Sequence, residues 1–379
     1  MRIFVAVGRC VGSRVHIFSW VSCHRRIAVV AVAAFAAAGA AWISIATVEA
    51  GRLASGPAPT ELSQRAGLKL AVRSLFEAGD FAALDRMAED FRSTGARTSS
   101  GVWKLTVFYG AFHELAGELE RANGARWQQL FAHVDRWRER FSGQPTAYVV
   151  EGEALKTYAF SLRPRFYVHE ASTGGDAAYS AAMRNARDFL DRNKAVAAAD
   201  PHFYVVRADI AAVLGEEPDR FMDLVNEGLV KSPGYYQLYF SGLDYFATSL
   251  TGDDEARAAR IEAFANSAVA RTQAQEGKGL YARLYWHAYS GFYGNQLFQK
   301  SRADWPKMRA GLEDVIGKYP DAWNVNHFAY LSCLAGDRDT TRRVIGGLGD
   351  HPALQVWQAR AIYEGCRSWA ASEPATARH

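Results

Sequence analysis

Apolar residues recur along this chain at helical steps. Leu68, Ala71, Val72, Leu75 and Phe76 share one stripe of a helix. Gly79-Asp80 interrupts that pattern, and Phe81, Leu84, Ala88 and Phe91 resume it as the stripe of a returning helix. The same grammar recurs through Trp127, Leu130, Phe131, Val134, Trp137 and Phe141, and again through Phe221, Leu224, Val225, Gly228 and Leu229. A further stripe runs through Trp305, Met308, Leu312, Val315, Ile316 and Tyr319. No run alternates with period two, so the pattern predicts helices and no sheet. Trp305 and Trp323 are expected in the core.

Punctuation makes the helices into pairs. Pro201 and Pro233 are 32 residues apart, as are Pro320 and Pro352, and each opens a predicted helix where a missing N–H costs nothing. Turns are expected at Gly79-Asp80, Gly252-Asp253 and Gly336-Asp337. Two helices in a period just above thirty resembles the tetratricopeptide repeat, whose length is about 34. In a register starting at Trp323, Tyr330 fits that repeat, while His327 stands where Gly is usual and Asp339 or Thr340 where Ala is usual. The fold expected over residues 63–366 is therefore an all-α solenoid of stacked helical hairpins, because such hairpins cannot bury their apolar faces alone.

One segment departs from this grammar. Residues 27–48, IAVVAVAAFAAAGAAWISIATV, carry no charge and no polar face, and as a helix would extend about 33 Å, enough to cross a bilayer core. Arg2, Arg9, Arg14, Arg25 and Arg26 precede it, with no acidic residue before Glu49. Arginine on one flank holds that flank in the cytoplasm. The expectation is a basic cytoplasmic leader (1–26), a transmembrane or signal-anchor helix (27–48), a Gly/Pro/Ser-rich flexible tether (49–62), the repeat domain, and a disordered tail (367–379). That places the bulk of the chain in the periplasm, as a single-pass bacterial inner-membrane protein. The alternative is a signal cleaved near Ala50, where Val48 and Ala50 present small side chains.

Composition then narrows the partner. The net charge of +4 comes from 44 basic and 40 acidic residues, and five of the basic ones lie in the leader. The exported part is near neutral, which argues against nucleic acid as a partner. Of four cysteines, Cys333 and Cys366 lie in the exported part, 33 residues apart. Their one-residue offset from the period turns them apart by about 100° on neighbouring helices, so two buried free thiols are expected, although the compartment permits a bond.

Chemistry is sparse. His113-Glu114 opens HELAGE, but Gly117 occupies the place of the second histidine a zinc helix needs, and Glu118 is the sole substitute nearby. Glu151 and Glu153 are two apart and face different ways on a helix. No catalytic, phosphate-binding or metal motif is present, and neither a metal nor a cofactor is expected. The richest cluster lies near Tyr281–Phe298. Tyr281, Tyr285, Trp286 and Tyr289, with Asn324, Asn326 and His327, are the candidate lining of one aromatic groove with polar tips.

A closer resemblance appears in the last third. Tyr281-Ala282-Arg283, Tyr285-Trp286, Trp305, Met308-Arg309, Gly311, Tyr319-Pro320-Asp321, Trp323-Asn324, Asn326, Cys333 and Asp337 resemble the pattern of a bacterial family of unknown function. The resemblance covers roughly residues 65–350 and implies a helical-repeat fold in an exported or membrane-tethered protein, with no activity attached. The expected function is a non-enzymatic protein-interaction scaffold of the cell envelope, held by residues 27–48 and binding a protein or peptide partner. The alternatives are a module binding envelope glycan or peptide in the aromatic groove, and an enzyme of unrecognised type.

Overall fold

Side-chain caps mark many helix starts. Thr60 Oγ1 accepts from Ser63 N at the head of α1 (Glu61–Ala78), and Asp80 from Ala83 N at the head of α2 (Phe81–Thr94). The computed structural model describes residues 60–121, 126–163, 173–248, 253–349 and 352–372. The 27–48 segment and Gly252 lie outside them, and no helix among the described residues is long and apolar enough to cross a membrane. The chain continues through α3 (Lys104–Arg121), α4 (Trp127–Arg140), α5 (Pro145–Ser161), α6 (Thr173–Arg192) and the single turn α7 (Lys194–Ala197). Then come α8 (Pro201–Leu214), α9 (Pro218–Lys231), α10 (Tyr236–Thr248), α11 (Asp254–Glu276) and α12 (Gly279–Ala288). A π-helical turn, Tyr289–Tyr293, leads to the short α13 (Leu297–Lys300), followed by α14 (Trp305–Lys318) and α15 (Ala322–Leu334). Last are α16 (Arg338–Gly346), α17 (Leu354–Trp357) and α18 (Arg360–Ala371). Among the described residues the protein is all-α, with one isolated bridge, Arg97 to Trp103.

Two sets of helices alternate. In the inner set α1 packs on α3, α3 on α5, α5 on α8, α8 on α10 and α10 on α12. The flanking helices α2, α4, α6, α9, α11 and α14 each cover neighbours in that set. Burial follows position. The flanking α4 buries one stripe, Trp127, Leu130, Val134 and Trp137, as its periodicity predicts. The inner α5 and α8 and the late α15 bury residues all round, so they carry no stripe.

Of the expected turns, Gly79 (φ 71°) and Gly336 (φ 75°) each end a helix in the left-handed region. Asp80, Asp253 and Asp337 each cap the next helix through the N–H three residues on. Several expectations need correction. Ala71 is exposed, and Trp305 and Trp323 are only partly buried. Trp305 lies at the edge of its hairpin because its Nε1 donates to the capping Asp337 at 2.9 Å. Helix begins at Glu61 rather than after the 49–62 tether, and α18 runs to Ala371, beyond the 367 boundary. Pro201 stands in the first turn of α8, whereas Pro233, Pro320 and Pro352 precede their helices.

The cysteines also differ from expectation. Cys333 and Cys366 form a disulfide, with Sγ–Sγ 1.98 Å and Cα–Cα 5.9 Å. Free thiols followed only if the hairpin period ran on unbroken. Instead α17 is one turn long, Gln358 takes φ 61°, and α18 packs back on α15 and α16. Cys366 therefore meets α15 from a closing helix, within bonding reach.

Gly311 fixes the closest approach of α12 and α14. A Cβ there would lie 2.5 Å from Lys278 O, a backbone atom that cannot swing aside. Gly311→Ala should cost about 1–3 kcal/mol in urea unfolding. A change under about 0.5 kcal/mol would show that the two helices separate freely.

Candidate functional site

Charged residues stand in the middle of otherwise apolar inner helices, and packing brings them into line. From α1, Lys69 pairs with Glu114 and Arg73 Nη1 with Glu118 at 2.8 Å, both on α3. From α3, His113 Nδ1 meets Glu153 of α5 at 2.7 Å. Lys156 Nζ lies 2.9 Å from Glu153 and 2.9 Å from Asp209 of α8. Ser241 of α10 donates to Asp209 at 2.8 Å, and Asp244 of α10 meets His287 of α12 at 2.7 Å. Past the end of α12, Tyr289 and Tyr330 of α15 join hydroxyls at 2.6 Å. A ladder of polar contacts thus links the inner helices from one end of the domain to the other.

Its members differ in exposure. Glu153 and Lys156 are buried, while His113, Asp209 and His287 keep part of their surface in solvent. Burial alone would push the Glu153 carboxyl up. Lys156 and His113 outweigh it and hold the group well below the usual carboxylate range. Burial likewise pulls Lys156 down, but Asp209 and Glu153 hold it above the ordinary lysine range. Both groups are therefore charged at neutral pH. Glu151, two residues from Glu153, faces another way, onto Arg138, and burial raises it to about 6. The HELAGE residues are rungs of the ladder: His113 binds Glu153, and Glu114 and Glu118 bind α1.

A second feature crosses the starts of the later inner helices. Residues 96–103, between α2 and α3, form a tight turn held by Thr98 N to Val102 O (2.8 Å) and Lys104 N to Ala96 O (2.8 Å). Gly101 adopts φ 88° there. The turn brings Arg97 over the Trp103 ring at 3.8 Å, and Trp103 Nε1 donates to Gly234 O at 2.6 Å. Ser100 O accepts from Arg283 Nη2 of α12 at 2.8 Å and from Asn324 Nδ2 of α15 at 3.1 Å. Ser100 N donates to the buried Glu61 at the head of α1 at 2.9 Å. Nearby, Asp200 receives Arg92, and Tyr109 Oη at 2.6 Å. His202 stacks on Tyr109 with ring centres 4.3 Å apart, and burial lowers its pKa to about 3.

The seven candidate groove residues do not share one surface. Tyr281 and Tyr285 are buried and donate to Glu262 of α11 at 2.8 and 2.7 Å, inside a hairpin. Asn326 Oδ1 accepts from Trp357 Nε1 at 2.8 Å and Ala353 N at 3.0 Å, which anchors the closing segment. Asn324 grips the 96–103 turn. Trp286 and His327 remain in contact, while Tyr289 pairs with Tyr330 instead. His327 lies between Trp286 (3.6 Å between ring centres) and Trp323 (4.8 Å), and burial lowers its pKa to about 3.

Lys156, Asp209, Arg97 and Arg283 are not among the residues expected from sequence. For two ladder members a signal exists: YVVEGEALKTYAF sets Glu153 and Lys156 three apart within an apolar run, a spacing that pairs them on a helix. Shallow concavities lie beside Tyr204 and Lys231 and beside Phe81 and His133, and neither is lined by ladder residues. The class defined by fold is all-α. No family model, curated protein or solved structure matches this chain.

Proposed function

We propose that the described domain is an α-solenoid binding module, tetratricopeptide-like in construction, that presents its ladder face to a protein or peptide partner. The observation that carries this reading is the line of partly exposed polar groups, His113, Asp209, Asp244 and His287, supplied one each by α3, α8, α10 and α12. Such a surface offers carboxylates and imidazoles from successive helices to an extended partner. Residues 27–48 tether the module outside the cytoplasm, a reading to which the Cys333–Cys366 bond adds support, since such bonds persist in oxidising compartments.

Photo-crosslinkers placed at Asp209 and His287 of the full chain in intact cells should give a reproducible protein adduct. Repeated absence of any adduct, with a saturable small-molecule ligand found by screening, would sink the scaffold reading. For topology, a reporter fused after Pro59 should be active only outside the cytoplasm; cytoplasmic activity reverses the assignment. The Trp286–His327–Trp323 cluster favours a second reading, an envelope-glycan site, because partly exposed indoles stack on sugar rings. Peptidoglycan binding lost in Trp286→Ala, with unchanged circular dichroism, would select it; equal binding by both proteins would dismiss it.

A further inference from the structure

A concavity of about 580 Å³ opens between the α1–α2 turn and the second half of α4, lined by Gly79, Phe81, His133, Arg136, Glu139 and Arg140. None of these residues belongs to the ladder. Helical spacing puts His133, Arg136 and Arg140 on one face of α4. Both arginines are exposed. Arg138, between them in sequence, is spent on Asp135 at 2.5 Å and Glu151 at 2.7 Å. Arg136 and Arg140 meet no carboxylate among the described residues. Arg136 Nη2 donates to His133 Nδ1 at 2.6 Å, and the Arg140 guanidinium lies 5.5 Å from the Phe141 ring centre.

The imidazole positions one of these cations. His133 Nε2 lies 2.6 Å from Phe76 O, which only accepts, so that nitrogen carries the proton and donates. Nδ1 is then the acceptor that Arg136 meets, and the guanidinium has further N–H donors left over. The ring itself packs edge-on to Phe76 and Phe81, with ring centres 4.6 and 5.0 Å away. The turn adds no competing donor or acceptor, because Gly79 N donates to Phe76 O, Asp80 N to Leu75 O, and Asp80 Oδ1 caps α2. The lining thus sets two cations against one anion, Glu139, beside aromatic edges.

We infer that this concavity receives the C-terminal end of a polypeptide whose last residue is apolar. Guanidinium forks match a planar carboxylate, and two of them one helical turn apart share its two oxygens. The concavity is too shallow to enclose a free small molecule, which needs most of its surface covered, so the carboxylate arrives on a larger body. A chain terminus carries its carboxylate and its last side chain on one carbon. The first then reaches the arginines while the second meets the edges of Phe81 and His133. An internal Asp or Glu brings the charge without an apolar group beside it. This site is separate from the ladder face and does not depend on what binds there.

Calorimetric titration of the full chain with an acetylated tripeptide ending in free phenylalanine is the test. Saturable binding is expected, weaker by at least about tenfold when the peptide's terminus is amidated or the protein carries Arg136→Gln with Arg140→Gln. A peptide blocked at both ends with an internal aspartate should bind no better than the amide. No saturable binding of the free acid overturns the inference, as does equal binding of acid and amide or binding that the double variant retains. A match by the internal-aspartate peptide overturns it in favour of an acidic side chain. Should the double variant lose its helical circular dichroism, the exposed Arg140→Gln alone decides, and unaltered affinity there overturns the site.

Discussion

Lys156→Met should destabilise the protein by about 3–5 kcal/mol at neutral pH, because it strands the Glu153 carboxylate in the core. His113 remains beside Glu153, yet it is partly exposed and is a weaker counter-charge than the buried ammonium. The loss should depend on pH in a defined direction. Glu153 has its folded-state pKa depressed below 4.5, so its stabilisation is complete above that value and fades as acid approaches the folded pKa. Lys156 is shifted the other way, so its contribution is complete below 10.5 and fades as pH rises beyond it. Burial raises the Glu153 carboxyl once its ammonium is gone. The gap between wild type and Lys156→Met should therefore narrow already above pH 4.5, as the stranded carboxylate takes a proton, and be smaller at pH 4 than at pH 7. Adding Glu153→Gln to the variant should recover much of the loss at neutral pH. Urea unfolding at pH 7 and pH 4 measures all three proteins. A neutral-pH loss below 1 kcal/mol would mean that water reaches the pair.

Removing the Cys333–Cys366 bond, as Cys333→Ala with Cys366→Ala, should cost between about 3 and 4 kcal/mol. That figure follows from the entropy regained by opening a loop of 33 residues. The change should be local at first. Hydrogen exchange in α17 and α18 should rise before exchange in α5 or α8, since the bond closes the end of the domain. An unchanged unfolding midpoint on reduction, with two thiols already alkylatable beforehand, would show that the bond does not form.

The helical class and several turns were legible because flanking helices have one wet face. Phe81, Leu84, Ala88 and Phe91 make a stripe only because the other side of α2 meets water. α5, α8 and α15 have no such side, and their sequences read as apolar runs without direction. The ladder was hidden for a related reason. Glu153 and Lys156 announce only each other, and Asp209 looks like an isolated charge until packing shows that all three meet. The proposed groove failed to assemble because helical phase alone cannot say which neighbour a face meets. Tyr281 and Tyr285 share a face as their spacing requires, but that face meets Glu262 of α11 rather than a ligand surface. The disulfide was missed because periodicity was extended across a stretch where Gln358 breaks it.

The Ser100 carbonyl has a consequence for the order in which the molecule comes into being. Its donors, Arg283 and Asn324, lie 183 and 224 residues further along the chain. During synthesis the first hairpin is made long before either exists, so this junction stays open until the last third has been translated. Repeat arrays built only from neighbour contacts peel from their ends, one unit at a time. Here the first hairpin is clamped to late ones, and fraying at the beginning requires release near the end. Native-state hydrogen exchange should accordingly give α1, α3, α12 and α15 a common opening free energy. A graded decline toward α1 would mean that the clamp is too weak to couple them.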